Sequence, residues 1–144
     1  MCNKMDNKKN ILWIDNDLNT EKLLNWQKEL SNDYNIIEMI DPECFLEYIS
    51  SEENDPVCTR CIILDISFRE QHSGKLKGKY GSAVGEYLIN QLKSEKCRYK
   101  HVPTIVFTIT GDNTIKKLCD KHSIKIIKKR DGSMLLKSIN DLLK

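Results

Sequence analysis

The chain has 144 residues, 40% of them hydrophobic and 31% charged, with a formal net charge of +2. That length suits one domain, taken as residues 1–144 with a core over about 10–143, and the balanced charge gives no reason to expect nucleic acid. The polar start MCNKMDNKKN has no apolar segment behind it and no apolar run is long enough to span a bilayer, so a cytoplasmic protein without a membrane partner is expected. The six cysteines are scattered, and Cys58-Thr59-Arg60-Cys61, formally a C-x-x-C, is read as two ordinary reduced thiols. No second cysteine pair or nearby histidine completes a zinc site, and the motif opens a strand instead of a helix.

Ile11-Leu12-Trp13-Ile14 is a short apolar run that ends in Asp15-Asn16-Asp17. Asn19 or Thr20 can cap a helix over about 21–30. The next strand is expected over Tyr34–Ile40. Asp41-Pro42 supplies a cap and a first-turn proline for a helix running to about Ser51. After the turn signal Asn54-Asp55-Pro56, Cys61-Ile62-Ile63-Leu64 runs straight into Asp65. A continuous apolar run of this kind suits a strand buried on both faces. Residues 68–80 are polar and basic and read as a long loop, and a helix is expected over about Ser82–Lys96. Pro103–Thr108 reads as a buried strand, Thr114–Lys121 as a short helix, and Ile124–Ile127 as the last strand, followed by Lys128-Lys129-Arg130. A final helix carries Met134, Leu135, Ile139, Leu142 and Leu143. His72, His101 and His122 lack ligand spacing and read as surface residues. Five strands, each followed by a helix, predict a doubly wound α/β fold: a five-stranded parallel sheet with helices on both faces.

Polar residues gather at the C-terminal strand ends: Asp15, Asn16 and Asp17 after the first strand, Asp65 after the third, Thr108 after the fourth and Lys129 after the fifth. In open α/β sheets that edge is where ligands bind. Clustered carboxylates need a cation, and Mg²⁺ takes oxygen ligands while keeping several waters. One carboxylate could then act as a nucleophile towards phosphorus, with a hydroxyl and an ammonium holding phosphoryl oxygens. The bland reading also stands: Asp15 and Asp17 as helix caps, Thr108 satisfying a strand end, and Lys129 as one member of a solvated triplet in which Lys128 could be the inward residue.

In this order, these motifs resemble the receiver domain of two-component response regulators, over about Asn10 to Leu143. The resemblance implies the flavodoxin-like strand order 2-1-3-4-5. It implies Asp65 as phosphoacceptor and metal ligand, and Asp15 in an acidic pocket for Mg²⁺. Asn16 then stands at a direct ligand position, Asp17 is a further candidate, and the backbone carbonyl of Ser67 is another ligand. Thr108 becomes the switch hydroxyl and Lys129 its charge partner. The implied donor is a sensor histidine kinase or phosphotransfer protein. The implied output is a protein partner on the face formed by the fourth helix, fifth strand and fifth helix, the protein itself being a monomer or homodimer and not an enzyme in its own right.

Several positions depart from the family pattern. Asn16 replaces the second acid, Ile126 stands where an aromatic usually precedes the lysine, Arg130 replaces the proline after it, and the loop beyond Asp65 is longer. They favour an alternative, a receiver-like binding module that works without phosphorylation. A third reading comes from Asp15-Asn16-Asp17, which resembles the D-x-D of haloacid dehalogenase-type phosphohydrolases, with Asp15 as nucleophile; there, no acidic pair follows the lysine and Asp65 is idle.

Overall fold

The structure, a computed structural model, describes residues 8–15, 21–65, 84–108, 113–128 and 132–142, with the side chains of 21–24 and 132–133 left aside. The strands are β1 (Lys9–Ile14), β2 (Tyr34–Met39), β3 (Thr59–Leu64), β4 (Thr104–Thr108) and β5 (Lys125–Lys128). The helices are α1 (Glu21–Leu30), α2 (Pro42–Ser50), α3 (Val84–Leu92), α4 (Asn113–Lys121) and α5 (Gly132–Leu142). The strands form one sheet in the order β2-β1-β3-β4-β5, and every pairing is parallel. The expected fold class and strand order are therefore present. No helix of the described residues is long and apolar enough to cross a membrane.

Alternation along the strands divides the core into two layers. Leu12, Ile14, Ile62, Leu64 and Val106 point to one face, where Phe45 and Ile49 of α2, Leu88, Ile89 and Leu92 of α3, and Ile115 and Cys119 of α4 cover them. Ile11, Trp13, Cys61, Ile63, Ile105, Phe107 and Ile127 point to the other, beneath Leu30 of α1 and Leu135 and Ile139 of α5. Both faces of β1, β3 and β4 are thus buried, which is why these strands are apolar runs without polar alternation. The second layer is centred on Phe107. Its ring stacks edge-on with Trp13 at 6.1 Å and with Trp26 at 5.4 Å.

The helix boundaries have local causes. Asp41 caps α2 as expected, its Oδ1 accepting from the Glu43 N–H at 2.7 Å with Pro42 following. Asp55 caps a single 3₁₀ turn, Pro56–Cys58, by accepting from the Val57 N–H at 3.0 Å. The third helix ends at Leu92, four residues short of the Lys96 expected from sequence. There the half-buried Lys93 ammonium turns back and donates to the carbonyls of Lys100 (3.0 Å) and Val102 (3.2 Å), which clamps the turns leading into β4. The last strand starts one residue later than expected. Ile124 is spent on closing α4, donating its N–H to the Cys119 carbonyl at 2.8 Å after Ser123 enters the left-handed region at φ 57°.

The cysteine reading needs a correction. Cys44, Cys61, Cys97 and Cys119 are free thiols, but Cys58 is disulfide-bonded. Because Cys61 is free, that bond does not close the C-x-x-C. Cys61 itself is fully buried in the sheet, and burial pushes its thiol up to about 12.

Two predictions follow from these contacts. Replacing the α2 cap, Asp41→Ala, should lower the unfolding free energy by about 1 kcal/mol in urea titration. For Cys61, the folded thiol keeps its proton to about 12, whereas an unfolded cysteine releases it near about 8.5. The native state therefore binds more protons in that window, and its stability is full below it and falls as pH rises through it. Urea midpoints measured across the window should show this alkaline loss in the wild type and a smaller one in Cys61→Val.

Candidate functional site

The site begins with strand register. Ile14 of β1 lies opposite Leu64 of β3, Leu64 opposite Val106 of β4, and Val106 opposite Ile126 of β5. One step further along, the Asp65 N–H donates to the Ile14 carbonyl at 2.8 Å, and the Asp15 N–H donates to the Met39 carbonyl at 2.9 Å. Asp15 and Asp65 thus continue two adjacent strands in the same row, about 5 Å apart at the backbone. Thr108 follows on β4, one row further on, opposite Lys128 of β5.

A local irregularity produces this row. Asn10 pairs with Thr59, yet the next residue, Ile11, pairs with Cys61, so Arg60 is skipped. Without that step Asp15 would stand opposite Leu64, and the two carboxylates would not share a row. The step also leaves Arg60 exposed, while Thr59 and Cys61 are buried.

Asp15 and Thr108 are fully buried and Asp65 is 1% exposed. Trp13 and Phe107, which precede Asp15 and Thr108 by two residues and by one, pack beneath this edge and exclude water from below. Two carboxylates that end adjacent strands at one buried sheet edge supply oxygen donors of the kind a hard cation takes. Among the described residues no third carboxylate, histidine or cysteine joins them in a metal-holding group. A magnesium site needs only one or two carboxylates, with waters filling the remainder. The Mg²⁺ that the sequence resemblance implies therefore fits the donor set described.

Of the site residues read from sequence, the fold brings Asp15, Asp65 and Thr108 to one end of the sheet. Asn16, Asp17, Ser67 and Lys129 lie outside the described residues, as do the basic stretch 68–80, His72 and Arg130. Lys128, the alternative inward lysine, is exposed at the end of β5. Ile126 is partly buried against the layer under α2–α4. His101 is exposed as expected, while His122 is half-buried at the end of α4. Sequence reading missed the aromatic support under the site. The signal was available in the period-two alternation, which puts Trp13 and Phe107 on the same face of the sheet, on strands separated by β3.

No family model and no curated protein sequence matches the chain. Its structure does match solved structures. The phosphorylated cyanobacterial phytochrome response regulator RcpA superposes with a TM-score of 0.65 at 15% identity, covering 94% of this chain and 91% of that one. The Vibrio cholerae chemotaxis protein CheY4 gives 0.65 at 14% identity, covering 94% and 99%. The Mn²⁺-bound form of the response regulator Rcp1 gives 0.63 at 17% identity, covering 93% and 91%. The shared architecture spans nearly the whole of each chain, and with it this protein has the flavodoxin-like fold of response regulator receiver domains.

Proposed function

We propose that the protein is a receiver of two-component signalling that takes a phosphoryl group on Asp65. One observation carries this reading. Asp65 is a buried carboxylate at the C-terminal end of β3, in the same row as buried Asp15 and beside Thr108. The donor is the phosphohistidine of a sensor kinase or phosphotransfer protein. An Asp65 carboxylate oxygen attacks phosphorus, a P–O bond forms, the P–N bond breaks, and the imidazole leaves and takes up a proton. Bound Mg²⁺ would neutralise the charge that develops on the phosphoryl oxygens. Asp15 and Asp65, with Asn16 and the Ser67 carbonyl and with Asp17 as a further candidate, would hold it.

Thr108 is suited to donate its hydroxyl to a phosphoryl oxygen, and Lys129, next in chain after Lys128, would supply the opposing charge. The shift of Thr108 towards the phosphoryl group would be read on the α4–β5–α5 face by a protein partner. The cytoplasm is the setting this chemistry implies.

Incubation with Mg²⁺ and acetyl phosphate, followed by intact mass, tests the assignment. A gain of one phosphoryl group in the wild type and none in Asp65→Asn is expected. A gain that survives in Asp65→Asn but vanishes in Asp15→Asn would identify Asp15 as the nucleophile instead, as in a phosphohydrolase. The metal role is read separately, by Mn²⁺ titration of tryptophan fluorescence, since Trp13 lies two residues from Asp15. Asp15→Asn removes one carboxylate charge from the cation's immediate neighbourhood, at least about 1.4 kcal/mol, and should weaken binding tenfold or more.

A second reading has its own support. Ile126 offers no aromatic ring opposite Val106, and Asn16 brings no charge to the metal. Both suit a binding module whose contacts do not depend on phosphorylation. Absence of any phosphoryl gain over a range of Mg²⁺ concentrations would favour it.

A further inference from the structure

Charge is sharply divided along this chain, and the fold places the two halves at opposite edges of the sheet. Between Glu29 and Thr59 there are nine acidic residues and no lysine or arginine. This stretch forms β2 and α2, and β2 is one edge strand. From Asn113 to Lys128 there are five lysines against the single Asp120. That stretch forms α4 and β5, and β5 is the other edge strand. Glu38, Glu47, Glu52 and Glu53 are exposed on the first side; Lys116, Lys117, Lys121, Lys125 and Lys128 are exposed on the second. A net charge of +2 conceals this division.

The two edges lie four interstrand spacings apart, roughly 20 Å. That exceeds the screening length of about 8 Å at physiological ionic strength, so each edge acts on neighbours as a separate patch. A large apolar side chain is exposed near each edge. Ile40 is 47% exposed, directly after β2 and between Glu38 and Asp41, and Met134 is 45% exposed on the first turn of α5, which packs against β5.

From these observations we infer that the acidic β2–α2 edge of one molecule docks on the basic α4–β5 edge of a second copy of this chain. Charge decides the pairing. Two basic edges repel each other, as do two acidic edges, which disfavours a two-fold dimer through either edge. The unlike pair attracts. All strands in both copies can run in the same direction, so the docked copies continue the parallel order with β5 next to β2. The contact is head-to-tail and leaves both outer edges open, so it does not close at two copies. Rim charges contribute modestly, so the assembly is weak and strongly dependent on salt.

Sedimentation velocity on the full chain tests this. In about 10 mM salt the weight-average mass should rise with protein concentration beyond that of a dimer, and in about 1 M salt it should return to the monomer. Lys117→Glu/Lys125→Glu makes the basic edge less basic, and Glu38→Lys/Glu47→Lys makes the acidic edge less acidic. Each variant alone should associate at least tenfold more weakly, and an equimolar mixture of the two should associate again. Lys117→Gln/Lys125→Gln provides a milder counterpart if a charge reversal fails to fold. A protein that stays monomeric at low salt, stops at a closed dimer, associates regardless of salt, or gains nothing on mixing the variants overturns the proposal. None of these outcomes depends on phosphorylation of Asp65, so this assignment and that one stand or fall apart.

Discussion

Parallel pairing of β1 with β3, with Ile14 opposite Leu64, sets the arrangement on which the rest of the site depends. Each strand ends in a carboxylate one residue later, so this register alone brings Asp15 and Asp65 into one row. It is not the register with which the two strands begin. The skipped Arg60 shifts the pairing by one residue, and in a structure of period two such a shift changes which side chains share a face. Burial enforces the shift. Without it Leu12 would face Cys61 and Trp13 would face Ile62, mixing the two core layers that α2–α4 and α1–α5 cover separately.

The site is costly for the fold to maintain. Two buried carboxylates on adjacent strands oppose the hydrophobic gain of the apolar runs that deliver them. They persist because the strands beneath are held from both faces, by Leu12, Ile14, Ile62 and Leu64 on one side and Trp13, Ile63 and Phe107 on the other. Under the proposed assignment, a phosphoryl group on Asp65 would add charge at this edge that must be balanced. That added charge would couple to the packing of β4 and β5 through Thr108. Thr108 and Phe107 are neighbours in β4, one at the site and the other at the centre of the aromatic cluster.

Charge acts at a second scale as well. At the sheet end it concerns two carboxylates that follow adjacent strands; across the molecule it divides an acidic edge from a basic one. The first is buried and poorly screened, the second exposed and strongly screened. A change of ionic strength therefore acts on the surface far more than on the site.

Much of the architecture was legible from residue order. Apolar runs ending in Asp15, Asp65 and Thr108, separated by helical stripes, imply a parallel sheet whose C-terminal edge gathers these polar residues, because only strands buried on both faces lose polar alternation. Asp41-Pro42 likewise announced the start of α2 through purely local bonds. Features that depend on distant partners were not legible. The end of α3 at Leu92 depends on Lys93 reaching carbonyls seven and nine residues ahead. The common row of Asp15 and Asp65 depends on the skipped Arg60, and the aromatic support on Trp13, Trp26 and Phe107 meeting from three elements. Sequence by itself determined the strand and helix content and which residues end the strands, because periodicity and capping act over a few neighbours. Tertiary structure alone decided register, layer and edge, because those follow from which long-range pairing buries both faces at once.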